Sequence, residues 1–435
     1  MKKKTHIGLE EAVFFLLYYI YMNGVRRIMI PMSSVTVVAI LMLVLFIVIY
    51  YARGKIPFFS TSDKIQGFSW GMIAVLIFLN NTSISQGLTT GGMIQLYVMI
   101  CFMLFAANES DWIWKWVSWT EIFVMIHAIA TIVLYFNRNL RVRFASIMFY
   151  GADLAAYLRH SEKGYACGLS SHFSSNGMIL GIGILVFFED ICAQRAIDSE
   201  EKSSWKIWSR IISLICCFYA IILSSKRGPL IAIFVVISLT YIIATKKNLV
   251  KRIILLSTFY LLLFLAYRIL VQRIPGLSTI AEKFSELENS SAGITNGRSG
   301  LWQLAFDMFE KNPLMGNGRG SYSIYAKRTN AISSSAHNYY LDILAELGLI
   351  GLGLYLMAFI SGIVMAIRTL RKALKVGMDR CYIMALSIAL EIQLFVIIYN
   401  MSATALMYYQ ILIPYFIACT VPKAITNKGI KRSGG

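Results

Sequence analysis

Charge is scarce in this chain of 435 residues, of which 14% is Asp, Glu, Lys or Arg, where a soluble globular chain holds about 25%. Carboxylates are scarcer still, with 22 Asp and Glu against 41 Lys and Arg, a net charge of +19. The balance is apolar, at 57% hydrophobic residues and a mean hydropathy of +0.65. These shortages exclude an ordinary cytosolic enzyme. Proline is rare (7) and glycine modest (30), with no low-complexity tract, which excludes disordered and collagen-like chains. Of seven cysteines, Cys101, Cys216, Cys217 and Cys419 fall in apolar stretches and Cys167 alone faces outward in the topology below, so no structural disulfide is expected. Neither an Asp-x-Asp motif nor a His/Cys/carboxylate cluster with ligand spacing occurs in the outer segments, and neither metal nor cofactor is expected.

What the chain has in abundance is long apolar runs. A helix needs about 20 mainly apolar residues to cross a bilayer. Twelve stretches approach that length: 11–25, 31–52, 67–84, 91–107, 118–136, 173–189, 207–224, 229–244, 253–271, 347–367, 381–400 and 403–421. The expected fold is an all-α polytopic integral membrane protein of about twelve transmembrane helices. Its expected parts are a bundle of nine spans (1–271), an extracytoplasmic loop domain with an amphipathic helix (272–346), three last spans (347–421) and a basic tail (422–435).

Short basic loops lie on the cytoplasmic side. That rule places Lys2 to Lys4, Arg53, Lys55 and Lys64, the 246–252 turn, Arg368 to Arg380 and the basic tail inside, with both termini cytoplasmic. Segments 137–172 and 272–346 are then outside. About 24 basic residues follow the insertion rule and about 17 do not.

Three of the exceptions stand out. Ser224-Ser225-Lys226-Arg227-Gly228-Pro229 joins two spans by a very short turn. Pro229 suits a helix start, so amides and two cations converge there as an anion site, or the cations snorkel to headgroups. Arg268 and Arg273 either line the same site or anchor their helix. Arg298 opens a segment in which Leu301, Trp302, Ala305, Phe306 and Phe309 recur at helical spacing, an amphipathic helix ending at Asn312-Pro313. A cation is disfavoured in a first turn, which invites a functional reading of Arg298. His337 follows the run Ser333-Ser334-Ser335, which is expected to cap a helix with His337 about one turn inside it. Glu121, His127 and Glu391 fall inside spans, where ionisable groups either brace the packing or line a proton path. Trp112, Trp114, Trp116 and Trp119 read as an interface belt.

Taken in order, four motifs resemble the large periplasmic loop of the O-antigen ligase and polysaccharide polymerase superfamily. They are Arg298-x3-Trp302, Asn312-Pro313-Leu314-Met315-Gly316-Asn317-Gly318, Ala336-His337-Asn338-Tyr339-Tyr340-Leu341 and Glu346-Leu347-Gly348-Leu349-Ile350-Gly351-Leu352. Ser225-Lys226-Arg227-Gly228 is similar to that family's short Ser/Arg turn, although Lys226 departs from its commonest form.

The resemblance implies a metal-independent GT-C-like glycosyltransferase of the bacterial cytoplasmic (inner) membrane, with its active site on the extracytoplasmic face. Its donor and acceptor would be undecaprenyl-diphosphate-linked oligosaccharides. By the same resemblance the catalytic residues are His337, Arg298 and Arg227, the arginines on the donor diphosphate and His337 on the acceptor hydroxyl. Lys226, Asn338, Arg273, Arg319 and Tyr339 are the expected substrate-binding residues. The favoured function is a Wzy-type polymerase of repeat units for capsule, exopolysaccharide or O antigen. Its expected partners are the bilayer, a flippase and a chain-length regulator, with no nucleic acid. The alternatives are an O-antigen ligase acting on lipid A core and a flippase or transporter of the same lipid. A transporter should carry a basic path through both leaflets, whereas these spans are mostly clean of Lys and Arg.

Overall fold

The computed structural model describes residues 9–23, 64–80, 112–195, 204–244, 249–271, 298–329, 335–407 and 409–430, apart from a few single positions. Among them every regular element is helical. In order these are α1 (Leu9–Asn23), α2 (Lys64–Leu79), α3 (Trp112–Phe136), α4 (Arg138–Met148), α5 (Gly151–Glu162), α6 (Phe173–Arg195) and α7 (Ser204–Leu223). There follow α8 (Arg227–Ala244), α9 (Leu249–Leu270), α10 (Ser299–Lys311), α11 (Ser321–Arg328), α12 (Tyr339–Val376), α13 (Arg380–Tyr399) and α14 (Tyr409–Ile430). Five of them are long and apolar enough to cross a membrane: those over 115–136, 173–193, 227–244, 339–376 and 380–399. The chain is therefore a multi-pass membrane protein. Expected spans 31–52 and 91–107 lie outside the described residues, and α1, α2, α7, α9 and α14 stand where further spans were expected.

Helices α6 and α13 run through the middle of the bundle, buried on nearly every face, and α9 exposes Phe259, Leu261, Leu262 and Leu265 on its rim. In lipid there is little hydrophobic gain from helix association, so shape and polar contacts must fix the packing. Trp70 of α2 supplies shape, held edge-on by Tyr355, Phe359, Tyr415 and Phe416 at 5.0 to 6.2 Å between ring centres. Polar contacts account for two of the intramembrane ionisable residues. Arg210 bridges Glu121 and Asp190 at 2.9 Å each. His127 Nε2 lies 2.7 Å from Asn176 Oδ1, which also accepts from Thr131. Both arrangements brace helices. The tryptophan belt needs correction, because Trp116 is fully buried and Trp119 stacks between Phe15 and Phe123.

The α10–α11 segment is locked to α12 at a break in that helix. Gly348 has φ 63 and ψ −163 inside α12, so the helical ladder stops for one residue. The 312–318 loop fills the gap: Asn317 and Gly318 N–H donate to the Ala345 and Glu346 carbonyls, while Leu349 and Ile350 N–H donate to Pro313 and Leu314. Such close threading demands glycine. A Cβ on Gly348 would lie 2.4 Å from the Leu314 oxygen, and one on Gly316 2.4 Å from the Glu346 carbonyl. Two of the four sequence motifs are therefore the two halves of one backbone splice.

Candidate functional site: a cationic cluster around His337

His337 stands ahead of α12, not one turn inside it. The cap is Asn338, whose Oδ1 accepts from the Tyr340 and Leu341 N–H groups, so the chain turns into the helix one residue after the imidazole. His337 itself has φ 52, left-handed backbone that a non-glycine residue adopts only when its surroundings impose it. The surroundings are specific. Trp302 Nε1 donates to the Ala336 carbonyl at 3.1 Å, and Asp342 Oδ1 accepts the Ala336 N–H at 2.9 Å. On the other side, the Tyr339 N–H donates to the carbonyls of Asn400 and Ala403. Clamped before and behind, the ring has little freedom to leave its place.

Two elements bring three cations to it. Arg298 sits at the N-terminal end of α10 and donates from Nη1 to the Ser402 carbonyl at 3.2 Å. The start of α8, with Lys226 and Arg227, meets the same turn after α13: a Cβ on Gly228 would lie 2.9 Å from Tyr399 and 3.4 Å from Ser402 Oγ. Ser225, just before, is the other non-glycine residue with positive φ, at 53, among the described residues. Lys226 Nζ lies 4.3 Å over the Phe173 ring at the start of α6.

The electrostatics agree with this convergence. Burial first, then Arg298 and Lys226, hold the His337 imidazole at about 4, below the usual histidine value. Burial and the charge of Arg227 likewise lower Arg298. Both of the charges that lower it, Arg298 and Lys226, are positive. Cations gathered in this way make a site that gains from an anion.

Segment 137–172 contributes residues that the motif reading missed. His172 caps α6, its Nδ1 accepting from the Ser174 N–H at 3.1 Å, and its ring lies 4.4 Å from His160 and 4.6 Å from Phe173. Burial, followed by His160, Lys226, Arg159 and His337, holds His172 at about 3. Three of the five histidines thus converge, and their confinement to the two outer segments was the signal available in the sequence.

The remaining expected residues are placed otherwise. Arg319 bonds Glu346 and lies 5.7 Å from the Tyr339 ring, so its guanidinium is spent inside the loop. Tyr339 is buried, with its hydroxyl 3.3 Å from that of Tyr355. Asn338 is the helix cap. In the structure these three make contacts within the protein around the start of α12. Arg273 lies exposed just after α9.

A multi-pass helical bundle with a cationic, histidine-bearing site at one end, covered by an inserted helical segment, is thus the class of protein that fold and site define. Residues 212–356 match the family model described as O-antigen ligase. The match runs from within α7 to the first half of α12 and includes Lys226, Arg227, Arg298 and His337. No curated protein matches the chain.

Proposed function

We propose that the chain is a membrane glycosyltransferase that moves a glycan from undecaprenyl diphosphate onto a sugar hydroxyl, as a polymerase of lipid-linked repeat units. The observation that carries this reading is the convergence of Arg227, Arg298 and Lys226 beside a neutral His337. On this reading the site faces away from the cytoplasm, at the inner membrane, and the bundle is of the GT-C kind.

The chemistry follows from the parts. The acceptor oxygen attacks the anomeric carbon, the bond from that carbon to the phosphate oxygen breaks, and its electron pair leaves on the diphosphate. Fixed guanidinium groups stabilise that growing charge where water is excluded. The acceptor proton passes to a His337 imidazole nitrogen. Buried beside those cations, that ring is a poor base, at about 4. A bound diphosphate offsets Arg298 and Lys226, which lifts the ring toward the range in which it accepts a proton near neutrality. Donor binding thereby switches on the base.

The family description supports a second reading, a ligase that uses the same donor with a lipid A core acceptor. The test supplies detergent-purified protein with lipid-linked repeat units alone, or with lipid A core added. Lengthening with units alone supports the polymerase, and transfer only to core supports the ligase. Arg227→Ala, Arg298→Ala and His337→Ala should each lower transfer at least 100-fold. Full-length polymer from all three variants refutes the site.

A further inference from the structure

A separate cavity of about 340 Å³ lies at the other end of α10, between the last turn of α2 and the 312–325 segment. Its side chains are Asn80, Asn312, Asn317, Ser321 and Tyr325, beside the backbone at Met315 and Gly316. None of them is charged. The amides are already ordered: Asn80 Nδ2 donates to the carbonyls of Met315 and Gly316, Asn312 Nδ2 donates to Asn317 Oδ1 at 2.9 Å, and Asn317 Nδ2 donates to Met308 and Ala345. Oriented by these bonds, Asn80 and Asn312 keep amide oxygens as acceptors. Ser321 is 1% exposed, and its hydroxyl has no hydrogen-bond partner among the described residues. A buried hydroxyl without a partner is costly and calls for a polar occupant. Tyr325 adds a half-buried aromatic ring, with Lys311 Nζ 5.2 Å from its centre.

A neutral lining of amide oxygens, one unpartnered hydroxyl and one aromatic face suits a molecule with hydroxyl groups around an apolar C–H face. That is a sugar ring, and the volume falls in the ordinary range for small-molecule sites. Arg298 begins α10 and this cavity flanks its end, 13 residues on, a separation of about 20 Å at 1.5 Å per residue. A lipid-linked oligosaccharide with its diphosphate at Arg298 spans that gap with a few sugars.

We propose that this cavity is a subsite for an uncharged sugar of the lipid-linked glycan, one α10 length from the diphosphate cluster; the assignment rests on the glycosyltransferase reading. The sugar belongs to the donor or to the acceptor, and both present the same ring.

The probe is the free repeat-unit oligosaccharide, released by mild acid from lipid-linked units that accumulate in cells lacking this chain. Saturation-transfer NMR on the full chain in detergent should show binding for the wild type and for His337→Ala. Tyr325→Ala and Ser321→Ala should each lose it at least five-fold, with thermal unfolding within a few degrees of wild type. Equal binding by wild type and both cavity variants overturns the subsite, as does absence of binding in the wild type. Transfer assays then separate donor from acceptor: the Tyr325→Ala defect should vanish for whichever partner is shortened to a single sugar. Lengthening by wild type with an unaltered KM in both cavity variants also overturns the subsite while leaving the glycosyltransferase intact. Wild type that binds oligosaccharide yet never lengthens it overturns the transferase reading instead.

Discussion

Removing one guanidinium should make His337 a better base in the empty site. Burial is the first cause of its low value and stays in place, whereas Arg298 is the larger of the two charges acting on it and Lys226 the smaller. At pH 7 a ring at about 4 is about 0.1% protonated, and one at the usual 6.5 would be about 24% protonated. Arg298→Gln, which keeps length and removes charge, should raise the titration midpoint by about one pH unit, still short of 6.5 because burial persists. Lys226→Gln should raise it less. The assay is the pH dependence of the histidine Cε1–Hε1 resonances in labelled protein, where five signals are assigned by single substitutions including His337→Asn. A midpoint near 4 that both substitutions leave unmoved, or a larger response to Lys226→Gln, would refute the electrostatic account. Adding inorganic pyrophosphate to wild type should move the same midpoint upward, since an anion between the cations does the work of the substitution.

Acid should destabilise the protein through the same rings. His337 and His172 are held at about 4 and about 3, against 6.5 unfolded, so the folded state binds fewer protons. Their contribution is present above 6.5 and is lost as pH falls through those lower values. For His337 the ceiling of about 3 kcal/mol drops to about 1–2 once solvent screening at a half-exposed ring is allowed for, and thermal unfolding at pH 7 and pH 4 with and without His337→Asn measures it. Gly348→Ala should cost about 3 kcal/mol, seen as a lower unfolding temperature, because a Cβ there meets the Leu314 oxygen at 2.4 Å. Glu346→Gln should cost about 3–5 kcal/mol, since it leaves the Arg319 guanidinium without its counter-charge. Trp302→Phe should lower transfer about ten-fold with about 1 kcal/mol of stability lost, because the Ala336 carbonyl loses its indole donor.

Apolar run length revealed the helices because it is a local property, and α6, α8 and α13 lie within a few residues of their expected bounds. Arg298, Lys226, Arg227 and His337 were legible for another reason. The three cations broke a local rule, one at a helix start and two in a short turn, whereas His337 stood out by its neighbourhood and by the motif that resembles the family's loop. What could not be read locally was pairing across the chain. Arg319 looked like an outward cation until Glu346, 27 residues on, was brought against it. The Ser run looked like the cap until Asn338 proved better placed to accept from α12. His172 was passed over because its meeting with Lys226 depends on how α6 and α8 pack, which no periodicity encodes. Nor does any local pattern show that the glycines of the 316–320 loop let main chain thread into main chain.

That splice has a mechanical consequence. Helix α10 is moored at its far end, where the following loop is stitched into the kinked transmembrane rod by four main-chain bonds, and its near end is tied by Arg298 to the turn after α13 and by the Trp302 indole to the Ala336 carbonyl. A strut fastened at both ends sets the spacing between the guanidinium at its tip and the kink at its foot, so a change of angle at Gly348 would be felt at the imidazole.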